Sequence, residues 1–415
     1  MTTRTGATRS GADRSGRTSQ RSPESVPARL EAFLERIDTP LTTFHLLVST
    51  TTALTIFGLV MYLSASSIRS YDYFLKQLMY AAIGAVLCVV ASRIPVRAWK
   101  RLAWPGIGLA VVLQALIFVP GLGDDFQGNR NWLLIGGQRL QPSEFAKLAI
   151  VVFGAGILDR KRHKLANIWH VIIPLVPVTV LLLALQLAGQ DLGTGLVLLS
   201  MVAGILFAAG VPSRLFAAAG AVGALAVLLM TLTSRNRMGR ISTWLGGCTD
   251  MVDVCRQVIN GQYALADGGW WGRGPGMSAE KWGWLSESRN DFIFAIIGEE
   301  LGIAGTFMVL ALLAVLAYAC YRLVFRTQDL FVRLATAGVM TWLMVQSFIN
   351  MGAVTGLLPV IGVPLPLVSG GGTAMISTLL ALGMLMSFAR EEPGAPEARA
   401  LSRLRATTTD PRSSR

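Results

Sequence analysis

The sequence predicts an all-α polytopic membrane protein, with about ten transmembrane helices and a large extracellular loop between helices 7 and 8. Three observations carry this. First, the 415 residues are 53% hydrophobic and only 15% charged, with a mean hydropathy of +0.53, too apolar for a soluble domain. Second, ten apolar stretches approach the roughly 20 residues needed to cross a bilayer. A chain in lipid must satisfy its own backbone, which favours one helical bundle. Third, 25 of the 37 Lys and Arg fall in the tails and loops that ten spans with an inner N-terminus leave in the cytoplasm, while the loop at 355–369 has none. This is the positive-inside pattern. The net charge of +13 then reflects topology and attraction to anionic lipid. It does not imply nucleic acid.

The expected spans are 42–63, 77–92, 102–119, 143–158, 171–187, 192–210, 215–233, 292–323, 334–354 and 372–389. Residues 1–41 and 391–415 are polar and read as disordered cytoplasmic tails around a transmembrane domain at 42–390. No apolar region closely follows the first basic residues, so no signal peptide is expected. The segment 28–37 has apolar residues at helical spacing and reads as a short amphipathic helix on the membrane.

Chemistry-bearing residues gather in the loops that this topology places outside. The loop at 120–141 is glycine-rich and holds Asp124, Asp125, Arg130, Trp132 and Arg139. Pro142 and Ser143 then start a helix, and Glu144 and Lys147 share one of its faces at i,i+3. An ionisable pair inside a span points to a functional site; the alternative is an interior structural ion pair. Asp191 opens the sixth span, either as a helix N-cap or as a site residue. The loop at 234–290 holds five tryptophans, which disordered segments avoid, and a loop of this length is usually functional. Its glycine-rich middle, DGGWWGRGPG, must turn tightly or approach a ligand. Arg273, Lys281 and Arg289 nearby suit an anionic ligand. Asp291 opens the eighth span, with Glu299 and Glu300 two turns on. Pro359, Pro364 and Pro366 bar a regular helix from the last outer loop. Its apolar character suggests a re-entrant segment packed on the bundle.

Cys88 and Cys320 read as packing residues within spans. Cys248 and Cys255 either close a disulfide or stay as two free thiols, and their spacing is wrong for zinc. The three histidines are too scattered to argue a metal site. No Walker, HExxH or GxSxG motif occurs.

Four stretches in order then resemble one family: GNRNWLLIGGQRLQPSEFAKLA (128–149), QDLGTG (190–195), QYALADGGWWGRGPGMSAEKWGWLSESRNDFIFAIIGEELG (262–302) and NMGAVTGLLPVIGVPLPLVSGGGT (350–373). Together with the spans they resemble the SEDS proteins (FtsW/RodA/SpoVE), and most of all an actinobacterial FtsW. The resemblance implies a peptidoglycan glycosyltransferase that polymerises lipid II at the outer face of the cytoplasmic membrane during division, at the septum. It implies a class B penicillin-binding protein and other divisome membrane proteins as partners. It places the family's essential aspartate at Asp291, as general base. Arg130, Glu144, Lys147, Asp191, Lys281, Arg289 and Ser369 are the expected substrate-binding residues, with Glu299 and Glu300 supporting. A divalent cation, Mg or Mn, could share the diphosphate, and no organic cofactor is expected. The alternatives are a lipid II flippase or a RodA-type elongation polymerase. Departures from the family pattern are Gln190 before the loop aspartate, Ser286 in LSES, and Gly370 in SGGG.

Overall fold

The computed structural model describes residues 41–66, 71–126, 129–164, 168–217, 220, 223, 235–246 and 254–395. The helices are α1 (Thr42–Ser66), α2 (Tyr71–Ala91), α3 (Val96–Arg101), α4 (Ala103–Ala115), α5 (Pro142–Arg160), α6 (Ile168–Ala188), α7 (Leu192–Ala208), α8 (Arg235–Trp244), α9 (Val254–Gly268), α10 (Ile293–Arg326), α11 (Leu330–Val354) and α12 (Gly372–Ala389). Nine of the ten expected spans coincide with helices among these. Most of the seventh, the tails up to residue 40 and beyond residue 395, and the segment 28–37 lie outside the described residues. Among the described residues six helices are long and apolar enough to cross a membrane, and α4 and α7 are shorter apolar helices. The chain is a multi-pass membrane protein.

Local chemistry sets several helix ends. Pro142 occupies the first turn of α5, where its missing N–H costs nothing. Asp191 caps α7 by accepting from the Thr194 N–H at 3.0 Å. Asp329 caps α11 through the Phe331 N–H at 2.9 Å. Pro174 and Pro177 lie inside α6, which membrane bundles tolerate.

Burial separates the centre from the rim. In α12, 78% of the apolar window is buried and in α11 61%, against 28% in α2 and in α6. In α5, every residue from Ala146 to Leu158 but one is buried. The central helices α5, α11 and α12 are wrapped by the pairs α2–α12, α1–α10, α4–α5 and α7–α11. The outward faces of α2 and α10 stay apolar, as at Val86 and Phe307.

Two segments that the sequence reads as outer loops differ from that expectation. The glycine-rich stretch before α5 forms a three-stranded antiparallel sheet, β1 (Gly123–Phe126), β2 (Asn129–Ile135) and β3 (Gln138–Leu140), in the order β1-β2-β3. Among its described residues the large loop carries two α-helices, α8 and α9, and α9 packs against α10. Cys255, in α9, is disulfide-bonded. Cys88 and Cys320 are free and buried; Cys248 lies outside the described residues. From Thr355 to Gly371 the chain is irregular, yet Val360, Val363, Leu365, Leu367 and Val368 are buried. This segment inserts among the helices so closely that a Cβ on Gly58 of α1 would stand 2.7 Å from the Cα of Val368.

Candidate active site

The inserted segment, the sheet and the helix starts enclose a cavity of about 330 Å³. Glu144 and Lys147 line it from α5, Asp191 from the start of α7, Arg240 from α8, and Glu287 and Asp291 from the end of the large loop. Residues far apart in sequence thus meet at one mouth.

Lys147 and Glu144 are each 2% exposed, joined by an ion pair of 2.8 Å between Nζ and Oε1. The Ser377 hydroxyl donates to Glu144 Oε2 at 3.1 Å. Lys147 Nζ also donates to Gln346 Oε1 at 2.9 Å and stands 4.7 Å from the Trp342 ring centre, a cation–π contact. A buried charge survives only when paired and hydrogen-bonded, and this one is both. Its cation faces the cavity from a fixed position.

Asp191 is both a cap and a cavity residue. Its carboxylate accepts from Thr194 Oγ1 at 2.8 Å, Gln141 Nε2 at 3.1 Å, and Asn131 Nδ2 and Ser143 Oγ at 3.4 Å. These donors make it a link between the sheet, the start of α5 and α7.

Asp291 sits in the turn just before α10. Its backbone carbonyl accepts from Asn350 Nδ2 at 2.8 Å. Its Oδ2 lies against Gly362, where an added Cβ would be 3.5 Å away. Burial pushes the carboxyl up to about 7; the neighbouring Glu287 raises it further and Arg240 lowers it. Among the described residues three non-glycine positions have positive φ: Gln190 (64°), Glu287 (55°) and Leu367 (64°). The first two line the cavity, and the third lies in the inserted segment. Strain of this kind, about 1–3 kcal/mol each, tends to gather at functional sites.

The other expected site residues are placed elsewhere, off the cavity lining. Arg130 lies in β2 with Nε 3.8 Å from Asp125, while its strand neighbours Asn129 and Asn131 face the cavity. The Arg289 guanidinium stacks 4.0 Å from the Tyr73 ring centre. Ser369 Oγ accepts from the Leu365 N–H at 2.7 Å and shapes the inserted segment. Lys281 is buried against Glu300 at 3.0 Å. Glu299 accepts from the Ala279 N–H at 2.6 Å and from the Ser278 hydroxyl at 2.5 Å. Glu299 and Glu300 therefore anchor the glycine-rich loop and do not back Asp291.

Arg240, Glu287, Gln346 and Asn350 were not singled out from the sequence. Arg240 and Glu287 look like ordinary loop charges there. Gln346 and Asn350 carried a signal, since two amides at i,i+4 interrupt an apolar span.

Comparison with known proteins follows the same outline. The family model described as "Cell cycle protein", FtsW/RodA/SpoVE, matches residues 44–393. The chain belongs to this family. The "Probable peptidoglycan glycosyltransferase FtsW" of Mycobacterium tuberculosis is 39% identical over 374 residues, 88% of this chain and 71% of the relative. The stage V sporulation protein E of Bacillus subtilis is 32% identical, over 83% of this chain and 96% of that one. Among solved structures, one chain belongs to a peptidoglycan synthase complex studied for its coordination of polymerization and crosslinking. It matches with a TM-score of 0.69 at 27% identity, over 83% of this chain and 97% of its own length. RodA of Thermus thermophilus, a rod shape determining protein, matches with a TM-score of 0.64 at 26% identity, over 84% and 96%.

Proposed function

We propose that this protein is a peptidoglycan glycosyltransferase of the division type, polymerising lipid II with Asp291 as general base. The observation that carries the reading is the shared cavity: a carboxyl held near neutrality faces the same space as a buried lysine. In the reaction a sugar hydroxyl attacks the anomeric carbon of a second lipid-linked sugar. The glycosidic C–O bond forms, the bond from the anomeric carbon to the diphosphate oxygen breaks, and the hydroxyl proton passes to the Asp291 carboxylate. A base poised near the working pH is the most effective. The Lys147 cation, oriented by Glu144, and Arg240 meet the charge that builds on the departing diphosphate. A divalent cation is an expectation of this chemistry. Among the described residues no three His, Cys, Asp or Glu side chains converge to hold one.

Support for a class B penicillin-binding protein as partner comes from the synthase complex that the fold matches. The division role is supported by the FtsW relatives. A flippase leans on charges deep in the bundle, yet Glu299 and Glu300 are engaged by Ser278, Ala279 and Lys281. In this reading the cavity opens on the outer membrane surface and both termini lie in the cytoplasm.

The test is polymerisation of purified lipid II by this protein with its partner. Asp291→Asn is expected to lose at least about 100-fold in rate while still folding and binding the partner. A variant that polymerises at the parental rate removes Asp291 as base.

A further inference from the structure

Two amides on α11 bridge the two halves of this cavity. Gln346 and Asn350 stand about one helical turn apart and are 1% and 2% exposed. Polar side chains inside a span are costly and have a task. Gln346 Oε1 accepts from Lys147 Nζ at 2.9 Å and from Trp342 Nε1 at 2.7 Å, and its Nε2 donates to the Pro364 carbonyl at 2.8 Å. Asn350 Nδ2 donates to the carbonyls of Asp291 and Val363, both at 2.8 Å. Each amide therefore grips one residue of the reaction machinery. Each also grips one of two adjacent carbonyls in the inserted proline-rich segment.

Satisfying those two irregular carbonyls would need only a donor from each amide. Gln346 also uses its acceptor on Lys147, and Asn350 shares its donor with the backbone of Asp291. We propose that Gln346 and Asn350 are positioning residues, with α11 as the template that sets Lys147 against Asp291 for transfer from a lipid-linked diphosphate sugar. This rests on the reading of Asp291 as base and Lys147 as the diphosphate-binding cation. The template matters because a misplacement of about 1 Å can cost on the order of 100-fold in rate.

The experiment uses the full chain with its partner and measures glycan synthesis against lipid II concentration. Gln346→Leu removes the acceptor that holds Lys147, and KM is expected to rise about tenfold with a smaller change in kcat. Gln346→Glu keeps an acceptor there and is expected to bring KM back toward the parent. Asn350→Leu releases the backbone of Asp291, and kcat is expected to fall roughly 10- to 100-fold at near-parental KM. Asn350→Ala removes the donor at a smaller volume and is expected to fall likewise, so that a loss common to Leu and Ala follows the hydrogen bond and not the volume. With rates taken per folded, partner-bound enzyme, a purely structural role would leave both kcat and KM at the parental values in both leucine variants. That outcome, or parental kinetics in either variant, overturns the proposal. If a leucine variant does not fold, Gln346→Met and Asn350→Ala are read by the same criteria: raised KM for the first and reduced kcat for the second. Asp291→Asn in the same assay separates the two readings. If that variant is active the base assignment fails, while the KM effect of Gln346→Leu is still decided by itself.

Discussion

Asp291 is ionised only with difficulty because it is enclosed and because Glu287 shares its turn. The proposed role as base requires the carboxylate, so activity should rise with pH through a midpoint near 7. Burial sets most of that shift, and two charged groups tune it: Glu287 in its own turn and Arg240 from α8. Glu287→Gln removes a raising charge and should move the acid limb of the pH–rate profile down. Arg240→Gln removes a lowering charge and should move it up. The same shift has a stability consequence of fixed sign. A carboxyl whose folded pKa lies above its unfolded one favours the fold at low pH, and that contribution is lost as pH rises toward the folded pKa. Asp291→Asn should therefore melt higher than the parent at pH 8, with the difference shrinking between about pH 7 and pH 4. The buried ion pair behaves differently. Lys147→Met leaves Glu144 as a buried, uncompensated charge and should cost about 3–5 kcal/mol. Adding Glu144→Gln should restore much of the melting temperature but none of the polymerisation. Recovery of activity in the double variant would remove Lys147 from the reaction.

At the scale of the element, α10 has a break that ties the large loop to the bundle. Gly302 takes a left-handed φ of 66° inside the helix. The loop docks there through its backbone. The Arg273 N–H donates to the Glu299 carbonyl at 2.9 Å, the Gly274 N–H to that of Glu300 at 3.0 Å, and the Ile303 N–H to that of Gly269 at 2.9 Å. A Cβ on Gly302 would be 2.5 Å from the Gly272 nitrogen and 2.6 Å from the Trp270 carbonyl. Gly302→Ala should destabilise by roughly 1–3 kcal/mol and speed hydrogen exchange across residues 269–290. Activity should fall with it, since this loop ends on Glu287 and Asp291. Unchanged exchange there would show that the loop is held by other contacts. The loop's two acidic anchors show how spacing alone misleads. Positions 291, 295 and 299 share a face only if the helix covers all of them. Here α10 begins at Ile293, so Asp291 turns to the cavity while Glu299 turns to the loop.

Across the whole molecule, the cavity and the exposed Trp271 sit at one end of the bundle and Lys164 at the other, beyond the far end of α5. If the cavity opens outward, Trp271→Cys should react with a membrane-impermeant maleimide in whole cells, and Lys164→Cys only after the cells are broken. The reverse pattern would overturn the orientation. The membrane class and most of the helices were legible in the sequence because hydropathy belongs to each residue and accumulates along a segment without reference to its neighbours in space. Asp291 was legible too, as a carboxylate at the edge of a strongly apolar run inside a matching motif. The hairpin at Gly123–Leu140 was not, since short glycine-rich strands carry little alternation. Nor was the pairing of Lys147 with Gln346, 199 positions apart. Chain order alone determined that this protein lives in lipid and where the carboxylate proposed as its base lies. Tertiary structure decided which buried polar groups meet, and so which cation shares the cavity with Asp291, because that depends on which helix faces come together.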